Sequence, residues 1–469
     1  MTGNRRAALV VCVALTLAGC TMGPDYHLPA AAVVNRPAAR GPLNAPIGLT
    51  AADDLPPRWW HLYDDPVLDG LEKQALAGST DLRIAAANLA RAEAMTRAAE
   101  GAAEPELTVD AAAERAQLSG ESYLLSEPLP AATLGSADVQ VSYQLDLFGR
   151  IRRSVEAARA DEEARRALLG AVRVTLAGEV ARAYVGVCGA QETVDALEAA
   201  SAVQQDLLRV ARRLQAAGRI SETEVPAAQA RAAEVEALVP QARARAMAGL
   251  YQLAFLLGRV PSDYPRAAEA CRHLPQLTRP LPIGDGASLL ARRPDVRAAE
   301  RQLAAATARI GVATAELYPQ IGFAASVGSA GYLADLGSAA ANSWSIGSLI
   351  HWAFPTAGAR ARVKAAGADQ QRALASFDGT VLTALRDAQT ALATYGEDHA
   401  RAISLDRAAE AAQRESDQLA RLKRAGRAPA QTELGGRAGA LAAQLRAQIG
   451  RDAVAQDQVT LFLALGGGW

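Results

Sequence analysis

Four stretches of this chain alternate apolar and polar residues with period two. The clearest covers residues 138–147, where Val139, Val141, Tyr143, Leu145 and Leu147 alternate with Asp138, Gln140, Ser142, Gln144 and Asp146. That unbroken alternation predicts a strand with one apolar and one polar face. A weaker segment at about 107–115 sets Leu107, Val109, Ala111 and Ala113 against Thr108, Asp110 and Glu114. Two more follow at about 321–329 (Ile321, Phe323, Ala325, Val327) and about 344–354 (Trp344, Ile346, Ile350, Trp352, Phe354), the last blurred by Leu349. Their lengths of about 8–11 residues suit tilted transmembrane strands, although such strands taken alone also suit a soluble sandwich. Nine of the 21 aromatic residues lie in or beside them (Tyr123, Tyr143, Phe148, Tyr318, Phe323, Tyr332, Trp344, Trp352, Phe354), which fits aromatic girdles at a membrane interface.

After each pair of strands the period lengthens. Leu176, Val180, Ala183, Val187, Ala190, Val194 and Leu197 recur at spacings of four and three, a heptad seam whose small residues permit close helix approach. Two such stretches, Arg150 to Ala217 and Gly358 to Ala425, are 68 residues each, roughly 100 Å if helical. A glycine (Gly218, Gly426) interrupts each before the pattern resumes. The whole succession occurs twice. Asp81-Leu82-Arg83 precedes Pro105 as Asp295-Val296-Arg297 precedes Pro319, each by 24 residues, and Leu89-Ala90 matches Leu303-Ala304 between them. The order helix, strand, strand, long helix, turn, returning helix therefore predicts an internal two-fold repeat, 65–282 and 283–469.

Four strands cannot enclose a conducting lumen, since about eight barely enclose packed side chains. Nor can an open sheet edge face lipid, because its backbone groups would be unpaired. The strands are therefore expected to be shared among three copies, giving a homotrimer with a twelve-stranded β-barrel, four strands per protomer, continuous with a long α-helical coiled-coil tunnel: an α + β membrane protein.

The N-terminus changes the picture of location. Arg5 and Arg6 precede an apolar run, Ala7 to Ala18, that ends in Leu17-Ala18-Gly19-Cys20. Residues 1–19 read as a secretory signal, and the pattern is that of a lipobox, which implies acylation of Cys20. Thr21 and Met22 follow where an Asp would favour inner-membrane retention, so the outer membrane of a Gram-negative cell is expected. Residues 20–64 form an extended arm rich in Pro and Ala, with little periodicity. Hydrophobic residues make up 50% of the chain but aromatics only 4%, because alanine supplies most of the apolar count, as close-packed long helices require. The net charge of −1 becomes −3 once Arg5 and Arg6 leave with the signal, which argues against a nucleic-acid partner. Cys12 leaves too, and Cys188 and Cys271 remain. They lie 30 residues before and 53 after Gly218, so an antiparallel hairpin would separate them by roughly 35 Å. A direct disulfide is not expected unless the linker folds back.

The residues that carry a family resemblance are Cys20-Thr-Met-Gly-Pro-Asp-Tyr26, Trp59-Trp60 through Asp65-Pro66, Leu145-Asp-Leu-Phe-Gly-Arg150, Ala254-Phe-Leu-Leu-Gly-Arg259, Arg293-Pro-Asp-Val-Arg297, Leu317-Tyr-Pro-Gln320 and Ala464-Leu-Gly-Gly-Gly-Trp469. In that order the chain resembles the TolC-like outer-membrane factors of tripartite efflux systems, in their lipoprotein branch associated with RND pumps. The resemblance implies an equatorial α/β belt drawn from about Pro261 to Pro282 and the C-terminal tail. It also implies two hairpin tips, Gly218-Arg219-Ile220-Ser221 and Gly426-Arg427-Ala428-Pro429, that meet a periplasmic membrane-fusion adaptor, with an inner-membrane RND transporter beyond it. A glycine that ends a helix is also simply a C-cap. Acids just after the tips, Glu222 and Glu224 on the first and Glu433 on the second, are candidates for a threefold ring narrowing the aperture, although a Glu on a solvated helix face is the commoner case. Gly435 and Gly436 weaken the second returning helix locally.

No catalytic constellation emerges. His27, His61, His273, His351 and His399 have no metal-ligand spacing, and there is no phosphate loop or nucleophile elbow. Neither an enzyme nor a cofactor is expected, beyond the covalent lipid on Cys20. The expected function is the passive exit duct of an efflux pump for drugs or other small toxic solutes. The alternatives are an ABC-linked protein-secretion channel, a metal-efflux channel, which the lack of Met or His clusters disfavours, or a non-conducting coiled-coil lipoprotein.

Overall fold

The computed structural model describes residues 21–46, 48–121 and 124–467; the signal, Cys20, Tyr123 and Trp469 lie outside the described residues. In chain order the elements are β1 (Thr50–Ala51), α1 (Pro66–Gly78), α2 (Thr80–Gly101), β2 (Glu106–Ala116), β3 (Ala132–Leu145), α3 (Arg150–Ala216), α4 (Glu224–Leu256), β4 (Leu281–Pro282), α5 (Gly286–Arg292), α6 (Pro294–Ala315), β5 (Gln320–Tyr332), β6 (Asn342–His351), α7 (Ala357–Arg424) and α8 (Ala430–Ala464), besides short helical turns. The sequence α2-β2-β3-α3-α4 is matched in order by α6-β5-β6-α7-α8. The long helices α3 and α7 run unbroken for 67 and 68 residues. No helix among the described residues is long and apolar enough to cross a membrane. The chain divides into two compact units, one of residues up to 29, 88–165 and 299–377, the other of the remainder.

The first unit holds a four-stranded antiparallel sheet in the order β2-β3-β5-β6. Its strands differ from the sequence expectation at their ends. β3 begins at Ala132 rather than 138, because the small residues before Asp138 pair with Ala111 to Ala116 of β2 even though their alternation is faint. β6 stops at His351. Trp352 leaves the ladder, and its indole Nε1 donates to the Leu317 carbonyl at 3.1 Å. The turn from β3 into α3 is set by Asp146, whose carboxylate accepts from the backbone N–H groups of Ile151 and Arg152 at 3.0 and 2.9 Å and so satisfies the orphan donors of the helix start. Phe148 stacks on Tyr318 beside it, ring centroids 4.7 Å apart.

The second unit holds the largest apolar core, and several of the sequence motifs turn out to be its joints. Trp59 is fully buried and stacks on Phe462 of α8 with centroids 4.3 Å apart. Asp65 caps α1 by accepting from the N–H groups of Val67 and Leu68, while the Tyr184 hydroxyl of α3 donates to its other oxygen at 2.9 Å. Arg293 grips Asp295 through two N–H donors, at 3.0 and 2.7 Å, and donates to the Ala464 carbonyl at 2.7 Å, which satisfies an end of α8.

The linker between α4 and β4 overturns the expectation for the cysteines: Cys188 and Cys271 form a disulfide, their Cα atoms 5.0 Å apart. The estimate of ~35 Å assumed helical rise all the way to Cys271, but α4 ends at Leu256. Gly258, at φ +71°, reverses the chain, and the linker returns along the hairpin. Arg272 pairs with Asp195 of α3 at 3.5 Å, Leu274 and Leu277 pack on the core, and β4 pairs in parallel with β1 through Thr50–Leu281 and Ala51–Pro282.

Candidate functional site: the sheet faces and the hairpin tips

Register decides what each face of the sheet presents. Directly paired residues share a face, and Leu107, Val141, Ala325 and Ile346 form one row across all four strands. Flanking rows on the same side include Val109, Val139, Val327 and Trp344, and Tyr143 with Phe323. The four separate apolar patterns of the sequence therefore coincide on one face, and that face is bare: Ile346 and Trp344 are 77% and 78% exposed. The opposite face carries Thr108, Gln140, Ser326 and Ser345 as one row, and His351 at its end opposite Gln320. It also carries Glu106, Asp110, Glu114 and Asp138, with Asp110 directly opposite Asp138, and no Lys or Arg.

The two hairpin tips are built alike. Gly218 and Gly426 adopt φ of +66° and +70°, a left-handed conformation that a Cβ penalises. Their N–H groups donate to Gln215 and Lys423, and those of Arg219 and Arg427 to Leu214 and Leu422, the double bond of a Schellman cap. The tips differ beyond that point. In the first, Ile220 tucks against Leu208, Ala211, Ala228 and Ala232 between the helices, while Arg219, Ser221, Glu222 and Glu224 are exposed. In the second, Pro429 precedes α8, Arg427 is exposed and Ala428 half-buried.

Among the candidate aperture acids the structure separates Glu433 from the other two. Glu433 accepts from Lys423 Nζ at 2.9 Å across its own hairpin, so its charge is partly neutralised within the chain. Lys423 was legible in principle, since it lies as far before Ala428 as Glu433 lies after it. Gly436 faces Leu419 and Ser416 of α7 closely, whereas Gly435 has open space where a Cβ would stand.

Three acids in the second unit are held above the usual carboxylate range. Burial first, then neighbouring Asp69, pushes Glu72 well up. Burial, with Glu192 next, pushes Asp452 of α8 up to about 6. Burial, with Asp398 next, does the same to Asp457, also to about 6. Each folded pKa exceeds the unfolded one, so the stability these groups contribute is full below about pH 4. It is lost as pH rises through about 6 for Asp452 and Asp457. Asp452→Asn should therefore raise the apparent melting temperature at pH 7.5 and flatten its slope between pH 4 and 6. An unchanged slope would show that Asp452 is not the titrating group.

A sheet with one bare apolar face, joined to two long capped helical hairpins, is the protomer plan of an outer-membrane channel protein. Comparison with known sequences agrees. The profile of the family described as "Outer membrane efflux protein" matches residues 71–259 and 287–467, and the chain belongs to that family, one of channel proteins rather than enzymes. It is 31% identical over 404 residues to the solvent efflux pump outer membrane protein SrpC of Pseudomonas putida, covering 82% of each chain. Among solved structures, it matches the outer-membrane channel OprN with a TM-score of 0.86 and 34% identity, covering 96% of this chain and 100% of that one. It matches the open state of the Neisseria gonorrhoeae MtrE outer membrane channel with a TM-score of 0.78 and 26% identity, over 96% and 98% of the two chains.

Proposed function

We propose that three copies of this chain form the outer-membrane exit duct of a tripartite efflux pump, driven by an inner-membrane RND transporter and opened by a periplasmic adaptor. The observation that carries the reading is the sheet register. It gathers most of the large apolar residues of the four strands on one exposed face, with Arg115 at the far end of β2, and most of the polar residues on the other, where Leu134, Tyr332 and Leu349 are the large apolar exceptions. An apolar face that long suits lipid, and a polar face that is acidic without cations suits a water-filled lumen. β2 and β6 stand at the two edges of the sheet, and edges in lipid must pair. Three copies arranged in a ring complete them as twelve strands, and the duplicated helical plan supplies the tunnel. Acylation of Cys20 anchors the chain. Glu222 and Glu224, exposed at the first tip, are better placed than Glu433 to line a threefold aperture. The duct catalyses nothing; its energy comes from the transporter. SrpC carries solvent efflux in its name, and small apolar toxic solutes are the cargo class proposed here.

A photo-crosslinking residue at Arg219 or Arg427 tests the partner. Both side chains are exposed, whereas Ile220 is tied into the hairpin and would disturb it if replaced. Capture in cells of an adaptor that copurifies with an RND transporter is the expected result. An ABC-linked adaptor would move the function to protein secretion, and capture of no adaptor at either tip would sink the exit-duct reading.

A further inference from the structure

The Gly23-Pro-Asp-Tyr26 segment, for which the local sequence shows no packing requirement, is held by specific contacts to α3 and α6. Arg153, in the first turn of α3, is buried at 3% side-chain exposure. Its guanidinium donates to the carbonyls of Met22 and Gly23 at 3.2 and 3.3 Å, to the Asp25 carboxylate at 2.7 Å and to Glu156 at 2.7 Å. A buried guanidinium requires such acceptors, and three of the four come from the arm. The Met22 N–H donates back to the Phe148 carbonyl at 3.2 Å.

Two close approaches leave no room for side chains. A Cβ at Gly23 would lie 2.5 Å from the Gly311 Cα of α6, and one at Gly149 would lie 2.9 Å from the Thr21 Cα. Tyr26 closes the far end. Its hydroxyl donates to Glu300, its ring packs on Ala160, Ala304 and Ala305, and the Arg301 guanidinium lies 5.5 Å from the ring centre.

We infer that Thr21–Tyr26 is a clasp that fixes the acylated terminus at the junction of β3 and α3, with Arg153 as its positioning residue. The inference rests on the reading that Cys20 is acylated. Only Thr21 separates Cys20 from Met22, a reach of at most ~7 Å. The acyl chains therefore enter the bilayer beside the helix-proximal end of the sheet, near the Phe148–Tyr318 stack. One set of contacts thus sets the depth of both the lipid and the sheet, which a long loose tether could not do.

The test uses the full chain in native outer membranes, with two readouts. Metabolic labelling with an alkyne fatty acid reports acylation, and chymotrypsin cleavage after Tyr26 reports docking. The wild type should be labelled and resistant. Arg153→Ala and Gly23→Ala should be labelled and cut at least about tenfold faster, since cleavage follows the population of the undocked arm. If either variant misfolds, Tyr26→Cys with Glu300→Cys in an otherwise unchanged chain gives a second reading, through an oxidant-induced crosslink. A labelled wild type cut as fast as Arg153→Ala, or no crosslink, would overturn the clasp. A resistant but unlabelled wild type would instead refute acylation, and with it the lipid-positioning role, while leaving the docking in place.

Discussion

Val141→Arg should lower the yield of assembled protein in the outer membrane at least about tenfold, while Gln140→Arg should leave it near the wild-type level. The two residues are neighbours in β3, and what separates them is the face they occupy. Val141 lies in the row Leu107–Val141–Ala325–Ile346, and Gln140 in the row Thr108–Gln140–Ser326–Ser345. A guanidinium on the lipid face of a barrel costs about 2–4 kcal/mol near the midplane, and each 1.4 kcal/mol is about a factor of ten. At position 140 the same group would meet water and lie one row from Asp138 and Asp110. Ile346→Arg on β6 should behave as Val141→Arg does, because it belongs to the same row. Assembly can be read as the heat-modifiable oligomer band in outer-membrane fractions. Equal tolerance at 140 and 141 would mean that the bare face does not meet lipid.

Loss of the Cys188–Cys271 disulfide should be the largest single effect on stability. The bridge joins residues 83 apart in sequence, and the chain-entropy account gives about 4.5 kcal/mol for a loop of that length. Cys188 is fully buried in the core of the second unit, so substitution adds a packing defect that reduction does not. The expected result is a large fall in apparent melting temperature on adding reductant to the wild type. Cys271→Ser, at the more exposed partner, should match the reduced wild type, and Cys188→Ser should fall slightly further. A wild type indifferent to reductant, with the bridge verified as open, would show that Arg272–Asp195 and the β1–β4 pairing hold the linker without it.

Much of the plan was legible in one dimension because its signals are periodic. Strand and helix each repeat a residue pattern over many residues, so Asp138 to Leu147 and Leu176 to Leu197 declared their periods with no partner in view. The turns were legible for a related reason: Gly218 and Gly426 sit where the helical period breaks, and only glycine takes φ near +70° at little cost. The motif residues were visible too, but their roles were not. Asp65 and Asp146 cap helices that start just after them, but Trp59 acts through Phe462 and Arg293 through the Ala464 carbonyl, far along the chain. No local pattern encodes such a partner.

The same division separates the helices from the segments that connect them. Helical rise carried past Leu256 would keep Cys188 and Cys271 apart, and a bridge requires the linker to fold back, as it does. Where an irregular linker turns back depends on Gly258 together with Leu274, Leu277 and β4 finding a surface, which is a tertiary matter. Asp25 and Tyr26 carry no local packing signal, because their partners, Arg153, Glu300 and Arg301, are brought to the arm only by α3 and α6. By itself the sequence determined which elements form, roughly how long the helices are and which side of each strand is apolar, since those follow from local backbone preference and period, whereas strand ends such as Ala132 and His351 follow from pairing. Only the tertiary structure decided that the four apolar sides share one face, that the linker is stapled to α3 and that the arm is clasped beside the sheet. Each of those depends on register or reach between segments distant in the chain, and a periodic pattern carries no information about either.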